Sequence, residues 1–121
     1  MAREILIVED NEDSSALTEA ILQHGGFSSV VAATGQAALD YCAEHLPALI
    51  LLDLSLPDID GVDVCSRLRL RAGFDALPII ALTAHSRPEV QKKLNDAGAT
   101  DYLAKPFTPS QLLEVVRKHA R

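Results

Sequence analysis

Five short apolar runs alternate with five segments of helical period along the whole chain, and this alternation limits the fold more than any other feature. The runs fall at 4–8, 29–33, 48–52, 79–82 and 100–104, and the helical segments at 13–24, 35–45, 61–71, 88–97 and 109–119. The third and fourth runs are apolar almost throughout, as strands must be when helices cover both faces of a sheet. Five strand–helix units joined by right-handed crossovers predict an α/β fold, a (βα)5 three-layer sandwich around a parallel five-stranded sheet.

Local signals support the helices. In the first, Leu17, Ala20, Ile21 and His24 share a face, and Gly25–Gly26 ends the segment. Val90, Leu94 and Ala97 form the stripe of the fourth, with Gly98 just past its end. Thr108 before Pro109 is an N-cap followed by proline at the first helical position, opening the fifth over Leu112, Leu113 and Val116.

With 121 residues and 48% hydrophobic content, the chain is read as one domain, 1–121, able to build a core without staples. No linker, repeat or low-complexity tail interrupts it, the initiating methionine suggests a natural N-terminus, and nothing after Arg121 remains for an output domain. Cys42 and Cys65 lie on the apolar sides of their helices without disulfide or zinc spacing, which predicts free, buried thiols. The formal charge is −6, and the only basic grouping is the series Arg67, Arg69, Arg71, so direct nucleic-acid binding is not expected. No stretch approaches the ~20 apolar residues of a membrane span, and the N-terminus lacks signal-peptide features, which together predict a cytoplasmic protein with no membrane partner.

Four of the runs end on residues suited to phosphoryl chemistry: ILIVED (5–10), LILLD (49–53), IIALT (79–83) and DYLAK (101–105). Open parallel sheets bind ligands beyond the carboxyl ends of their strands, so Glu9, Asp10, Asp53, Thr83 and Lys105 should converge. Three carboxylates in one place repel and raise each other's proton affinity unless a cation joins them. Mg²⁺ fits best, since it takes one or two protein carboxylates and leaves room for phosphate oxygens. Asp53 can then attack phosphorus to form an acyl phosphate, while Lys105 and Thr83 balance charge on the equatorial oxygens of a loose transition state. Singly, each residue has a plainer explanation, such as a helix cap for Glu9–Asp10, a turn for Asp53 or a solvated charge for Lys105. Their joint placement at strand ends favours the site.

In this order, Glu9–Asp10 in VEDN, Asp53 with Pro57 and Gly61 in DLSLPDIDG, Thr83–Ala84 in ALTA and Lys105–Pro106–Phe107 in AKPF resemble the receiver domain of two-component response regulators, of the chemotaxis-regulator-like kind. The resemblance covers essentially the whole chain. It implies a flavodoxin-like strand order 2-1-3-4-5. It also implies that Asp53 accepts a phosphoryl group from a phosphohistidine of a histidine kinase or histidine phosphotransfer protein. Asp10, Asp53 and the backbone carbonyl of Ser55 would ligate Mg²⁺, with Glu9 acting mostly through metal-bound water. Thr83 and Tyr102 would be a switch pair acting on the face of the fourth helix, fifth strand and fifth helix; otherwise Tyr102 is a half-buried strand aromatic. By the same analogy Lys105–Pro106 is a cis bond, and the start of the first helix, with Glu12, Asp13, Ser14, Ser15 and Thr18, meets the phosphodonor. Arg87, Glu89, Gln91, Lys92 and Lys93 either dock a downstream target or relay protein or form an ordinary solvated helix face. Ser55 and His85 occupy positions that tune acyl-phosphate lifetime in the family, unless His85 is only a solvated loop residue.

The protein is thus expected to be a signalling phosphoacceptor rather than an enzyme, monomeric or dimerising on phosphorylation. A haloacid-dehalogenase-type phosphatase uses the same residue types, but places its nucleophile after the first strand with a second acid two positions on, where this chain has Ser55. A pseudo-receiver serving only as an interaction module would have no need for the full set of chemical residues.

Overall fold

The structure, a computed structural model, describes residues 3–84 and 87–120. His85, and with it the expectation about its role, lies outside the described residues. The chain runs β1 (Ile5–Val8), α1 (Glu12–His24), β2 (Ser29–Ala32), α2 (Gly35–Glu44), β3 (Leu49–Asp53), α3 (Gly61–Arg69), β4 (Ile79–Thr83), α4 (Pro88–Ala97), β5 (Asp101–Ala104) and α5 (Pro109–His119). All five strands pair in parallel in the order β2-β1-β3-β4-β5. The fold is therefore the flavodoxin-like doubly wound sandwich implied by the sequence.

Alternation along the central strands divides the core in two. Leu6, Val8, Ile50, Leu52 and Ile79 point to one layer, where they pack with Ala38 and Cys42 of α2, Val64, Cys65 and Leu68 of α3 and Ala97 of α4. Ile5, Ile7, Leu49, Leu51, Ile80 and Leu82 point to the other, against Ile21 and Leu22 of α1 and Leu112 and Val116 of α5. Every residue of β1, β3 and β4 is buried, consistent with the near-continuous apolar runs. Both cysteines are free and buried, as expected. Among the described residues, no helix is long and apolar enough to cross a membrane.

The predicted boundaries of α4 and α5 match those observed, whereas α3 stops at Arg69 rather than residue 71. Of the face predicted for α1, only Ile21 is buried. The buried side of the helix carries Ser15, Thr18, Ile21 and Leu22, while Leu17 is 62% exposed and Ala20 and His24 face solvent. The Ser15 hydroxyl donates to the Glu12 carbonyl at 3.1 Å, so this small polar side chain enters the core with its hydrogen bond made inside the helix. Hydrophobicity alone could not see that option.

At α5 the cap is reciprocal. Thr108 Oγ1 accepts from the Gln111 N–H at 3.1 Å, and Gln111 Oε1 accepts from the Thr108 N–H at 2.8 Å. Thr108→Ala removes half of this box and should lower stability by about 1 kcal/mol in urea unfolding, with no change in the slope of the transition.

Candidate phosphoacceptor site

The parallel register brings four strand ends to one edge of the sheet. Val8 lies opposite Leu52, Asp53 opposite Leu82, and Thr83 opposite Ala104. Glu9 continues the line of β1, its N–H donating to the Ala32 carbonyl at 3.0 Å, and the Lys105 N–H donates to the Thr83 carbonyl at 2.8 Å. Asn11 then turns the chain away as the N-cap of α1, its Oδ1 accepting from the Ser14 N–H at 2.9 Å. Expected residues therefore gather because the strands stop in step.

Glu9, Asp10 and Asp53 each present a carboxylate oxygen within 4.8 Å of the others. Glu9 and Asp53 are buried, at 5% and 4% exposure, and Asp10 is exposed. Lys105 Nζ lies 2.7 Å from Asp53 Oδ2 and 3.3 Å from Glu9 Oε1. The other Asp53 oxygen, Oδ1, accepts from the Ser55 N–H at 2.8 Å. Thr83 is buried at the end of β4, and Tyr102 is half-buried in the edge strand β5. The Lys105–Pro106 bond is cis, as the resemblance implied.

Burial, followed by the hydrogen bond to Asp53 and its charge, pushes the Glu9 carboxyl up to about 7 from 4.5. Burial alone would also raise Asp53, but hydrogen bonds from Glu9, Lys105 and the Ser55 N–H outweigh it and hold the group below its ordinary value. Of the two, Glu9 therefore holds a proton more readily than an ordinary carboxyl and Asp53 less readily. Burial similarly disfavours the Lys105 ammonium, yet its hydrogen bond to Asp53 and the two nearby carboxylates raise it above the usual lysine value. One cation stands among three carboxylates, a donor set suited to a hard divalent ion with oxygen ligands.

The sequence motif included Gly61, but the reason for a glycine there lies in the packing. Gly61 at the start of α3 sits so close to the preceding loop that a Cβ there would lie 2.7 Å from Leu54 Cα and 3.0 Å from the Asp53 carbonyl oxygen. A side chain at residue 61 would push on the backbone of Asp53 and Leu54. Beside the cluster, a cleft of ≈ 440 Å³ lies between α1 and the β5–α5 connection, lined by Ser14, Leu17, Thr18, Lys105, Pro106 and Phe107. The exposure of Leu17, contrary to expectation, contributes an apolar group to this cleft.

The fold and site together define a class, and comparison with known proteins agrees: the profile of the response regulator receiver domain matches residues 5–117, and the chain belongs to that family. It is 29% identical over 119 residues to the polar-differentiation response regulator DivK of Brucella ovis, covering 98% of this chain and 97% of that one. The chemotaxis protein CheY4 of Vibrio cholerae superposes with a TM-score of 0.93 at 27% identity, over 98% of this chain and 99% of that one. The receiver domain of the sensor histidine kinase PA1611 of Pseudomonas aeruginosa, with a magnesium ion coordinated in its active-site cleft, has a TM-score of 0.91 at 32% identity, over 99% and 98% of the two chains.

Proposed function

We infer that this receiver accepts a phosphoryl group on Asp53 from a phosphohistidine of a histidine kinase or phosphotransfer protein, and that the modified form alters a protein-binding face. The observation that carries this reading is the buried Asp53 carboxylate, gripped by Lys105 at 2.7 Å and by the Ser55 N–H at 2.8 Å beside two further acids. An Asp53 oxygen attacks phosphorus, the P–N bond of the phosphohistidine breaks with its electron pair left on the ring nitrogen, and a P–O bond completes the acyl phosphate. Glu9, Asp10 and Asp53, with the Ser55 carbonyl, would hold Mg²⁺, which supplies positive charge against the phosphoryl oxygens. Lys105 passes from the carboxylate to one phosphoryl oxygen, and the Thr83 hydroxyl donates to another. Water later attacks phosphorus, breaks the same P–O bond and restores the Asp53 carboxylate with release of inorganic phosphate. On this reading the chain catalyses only its own phosphorylation and dephosphorylation.

Movement of Thr83 toward the phosphoryl group links the site to Tyr102, since β4 and β5 are neighbours and Tyr102 lies opposite Ala81 in register. The phosphoryl group shifts the balance between two states by no more than its differential interaction with them. The face it biases is α4–β5–α5, where Lys92 and Lys93 are exposed. The free, buried Cys42 and Cys65 suit a reducing, cytoplasmic setting.

Intact mass after incubation with acetyl phosphate, with and without Mg²⁺, tests the central claim. A metal-dependent, hydroxylamine-labile gain of one phosphoryl group is expected, and no gain with folded protein and bound Mg²⁺ would count against it.

The phosphodonor docks over α1 and the β5–α5 connection, where Leu17, Pro106 and Phe107 offer apolar contact beside the acceptor. Leu17→Glu should slow transfer from a phosphorylated histidine phosphotransfer protein by about tenfold or more, the scale of an interface anchor. The rate from acetyl phosphate, which needs no docking surface, should stay unchanged.

A further inference from the structure

The loop from residue 54 to residue 60 follows Asp53 directly and carries the Ser55 N–H that donates to Asp53 Oδ1 at 2.8 Å. Among the described residues, its backbone bond to a strand comes from Leu54, whose N–H donates to the Leu82 carbonyl at 3.2 Å. Its support comes from a helix more than twenty residues earlier in the chain. Asp58 Oδ1 accepts from the Gly35 N–H at 2.9 Å, and Asp58 Oδ2 accepts from the Gln36 N–H at 3.0 Å. Both donors belong to the first turn of α2, where N–H groups lack intrahelical partners and negative charge is favoured.

The same contact is visible in the packing. A Cβ on Gly35 would lie 3.0 Å from Ile59 Cβ, 3.0 Å from Val64 Cγ2 and 3.3 Å from Asp58 Oδ1, so glycine lets the loop approach the helix closely. Helix α2 already has a cap in Thr34, whose Oγ1 accepts from the Ala37 N–H at 3.0 Å. Two side chains therefore serve one helix start. Thr34 caps within its own segment, whereas Asp58 ties the helix start to the loop that follows Asp53. The bonds from Gln36 and Gly35 also hold the Asp58 carboxyl below its ordinary value, so it is a charged acceptor at neutral pH.

We propose that Asp58 is a positioning residue: by fastening residues 58–59 to the N-terminus of α2, it sets the path of 54–57 and so the place of the Ser55 N–H and carbonyl relative to Asp53. With Gly61 pressed against Leu54 at the loop's exit, the segment is held at both ends. This inference rests on the phosphoacceptor reading of Asp53.

Thr34→Ala and Asp58→Ala separate positioning from simple helix capping, because both remove a cap of α2 and only the second releases the loop. For each variant and wild type, three quantities are measured: thermal stability, amide hydrogen exchange at Leu54 and Ser55, and the initial rate of modification by acetyl phosphate at saturating Mg²⁺. Both variants should melt at lower temperature. Asp58→Ala alone should speed exchange at Ser55 and slow modification, each by about tenfold, the scale of losing charge-assisted hydrogen bonds. Asp58→Asn retains one acceptor oxygen and should fall between; it also serves as the test variant if Asp58→Ala does not fold. Equal exchange at Ser55 and equal rates in the Thr34 and Asp58 variants would overturn the proposal. If wild type gains no phosphoryl group, the phosphoacceptor reading fails, and the exchange comparison still decides whether Asp58 fixes the loop.

Discussion

Asp53→Asn is expected to abolish the acyl-phosphate adduct, lowering the rate of modification by a factor on the order of 10³ or more, while leaving the protein folded. A carboxamide oxygen is a poor nucleophile and carries no charge, so the loss lies in the reacting atom itself. A second effect distinguishes this from misfolding. Asp53 helps raise the Glu9 carboxyl, through their hydrogen bond and through charge, so replacing it lets Glu9 ionise more easily. In EDTA the variant's stability should therefore depend less on pH near neutrality than that of wild type, and it should bind Mg²⁺ more weakly for want of a carboxylate. Mass spectrometry reads the first outcome, urea titration in EDTA across pH the second, and calorimetry with Mg²⁺ the third. A variant that lost the adduct and was already unfolded in buffer would point to structural damage instead.

The second large effect concerns Glu9 and pH. Its carboxyl stands near 7 in the folded protein against an ordinary 4.5, so the folded state holds a proton that the unfolded chain gives up. Stability from this source is complete below about 4.5 and is lost as pH rises through about 7, a change on the order of 3 kcal/mol in metal-free protein. Asp53 has the opposite sign, since its depressed value contributes stability above the ordinary aspartate range that is lost at more acid pH. Between pH 5 and 7 the Glu9 contribution dominates the site. Glu9→Gln stays neutral throughout, so its stability in EDTA should not share this decline, and comparison with wild type isolates the Glu9 contribution. Metal binding to wild type should expel the proton, so Mg²⁺ affinity should climb with pH up to about 7 and then level off, as calorimetry in buffers of different ionisation enthalpy can measure. A wild-type profile parallel to that of Glu9→Gln would contradict the assignment.

The parts of this molecule that could be read in advance are those where one local signal decides the outcome. Thr108–Pro109 set the start of α5 and Gly98 the end of α4, because caps and stops act within a few residues. Asp53, Thr83 and Lys105 could be placed together because parallel strands that end in step share an edge. The burial of Ser15 and Thr18 in place of Leu17 could not be read, since a hydroxyl that bonds within its own helix looks polar in sequence and behaves as a core residue in the fold. Nor could the role of Asp58, whose partners lie 22 and 23 residues away across a close approach of loop and helix. That clustered carboxylates raise each other's proton affinity could be read in advance, whereas the burial that makes Glu9 the one raised could not.

The split core has a further consequence for how such a domain changes over time. Neighbouring side chains on each central strand belong to different clusters, so the sheet acts as a bulkhead between two compartments. Substitutions far apart and without shared partners tend to add rather than interact. Drift in α1 or α5 therefore leaves the packing of α2, α3 and α4 largely undisturbed, and the reverse holds. Partner choice on one side can be rewritten while the other compartment keeps the scaffold intact, so long as the strand ends carrying Glu9, Asp53 and Lys105 stay aligned.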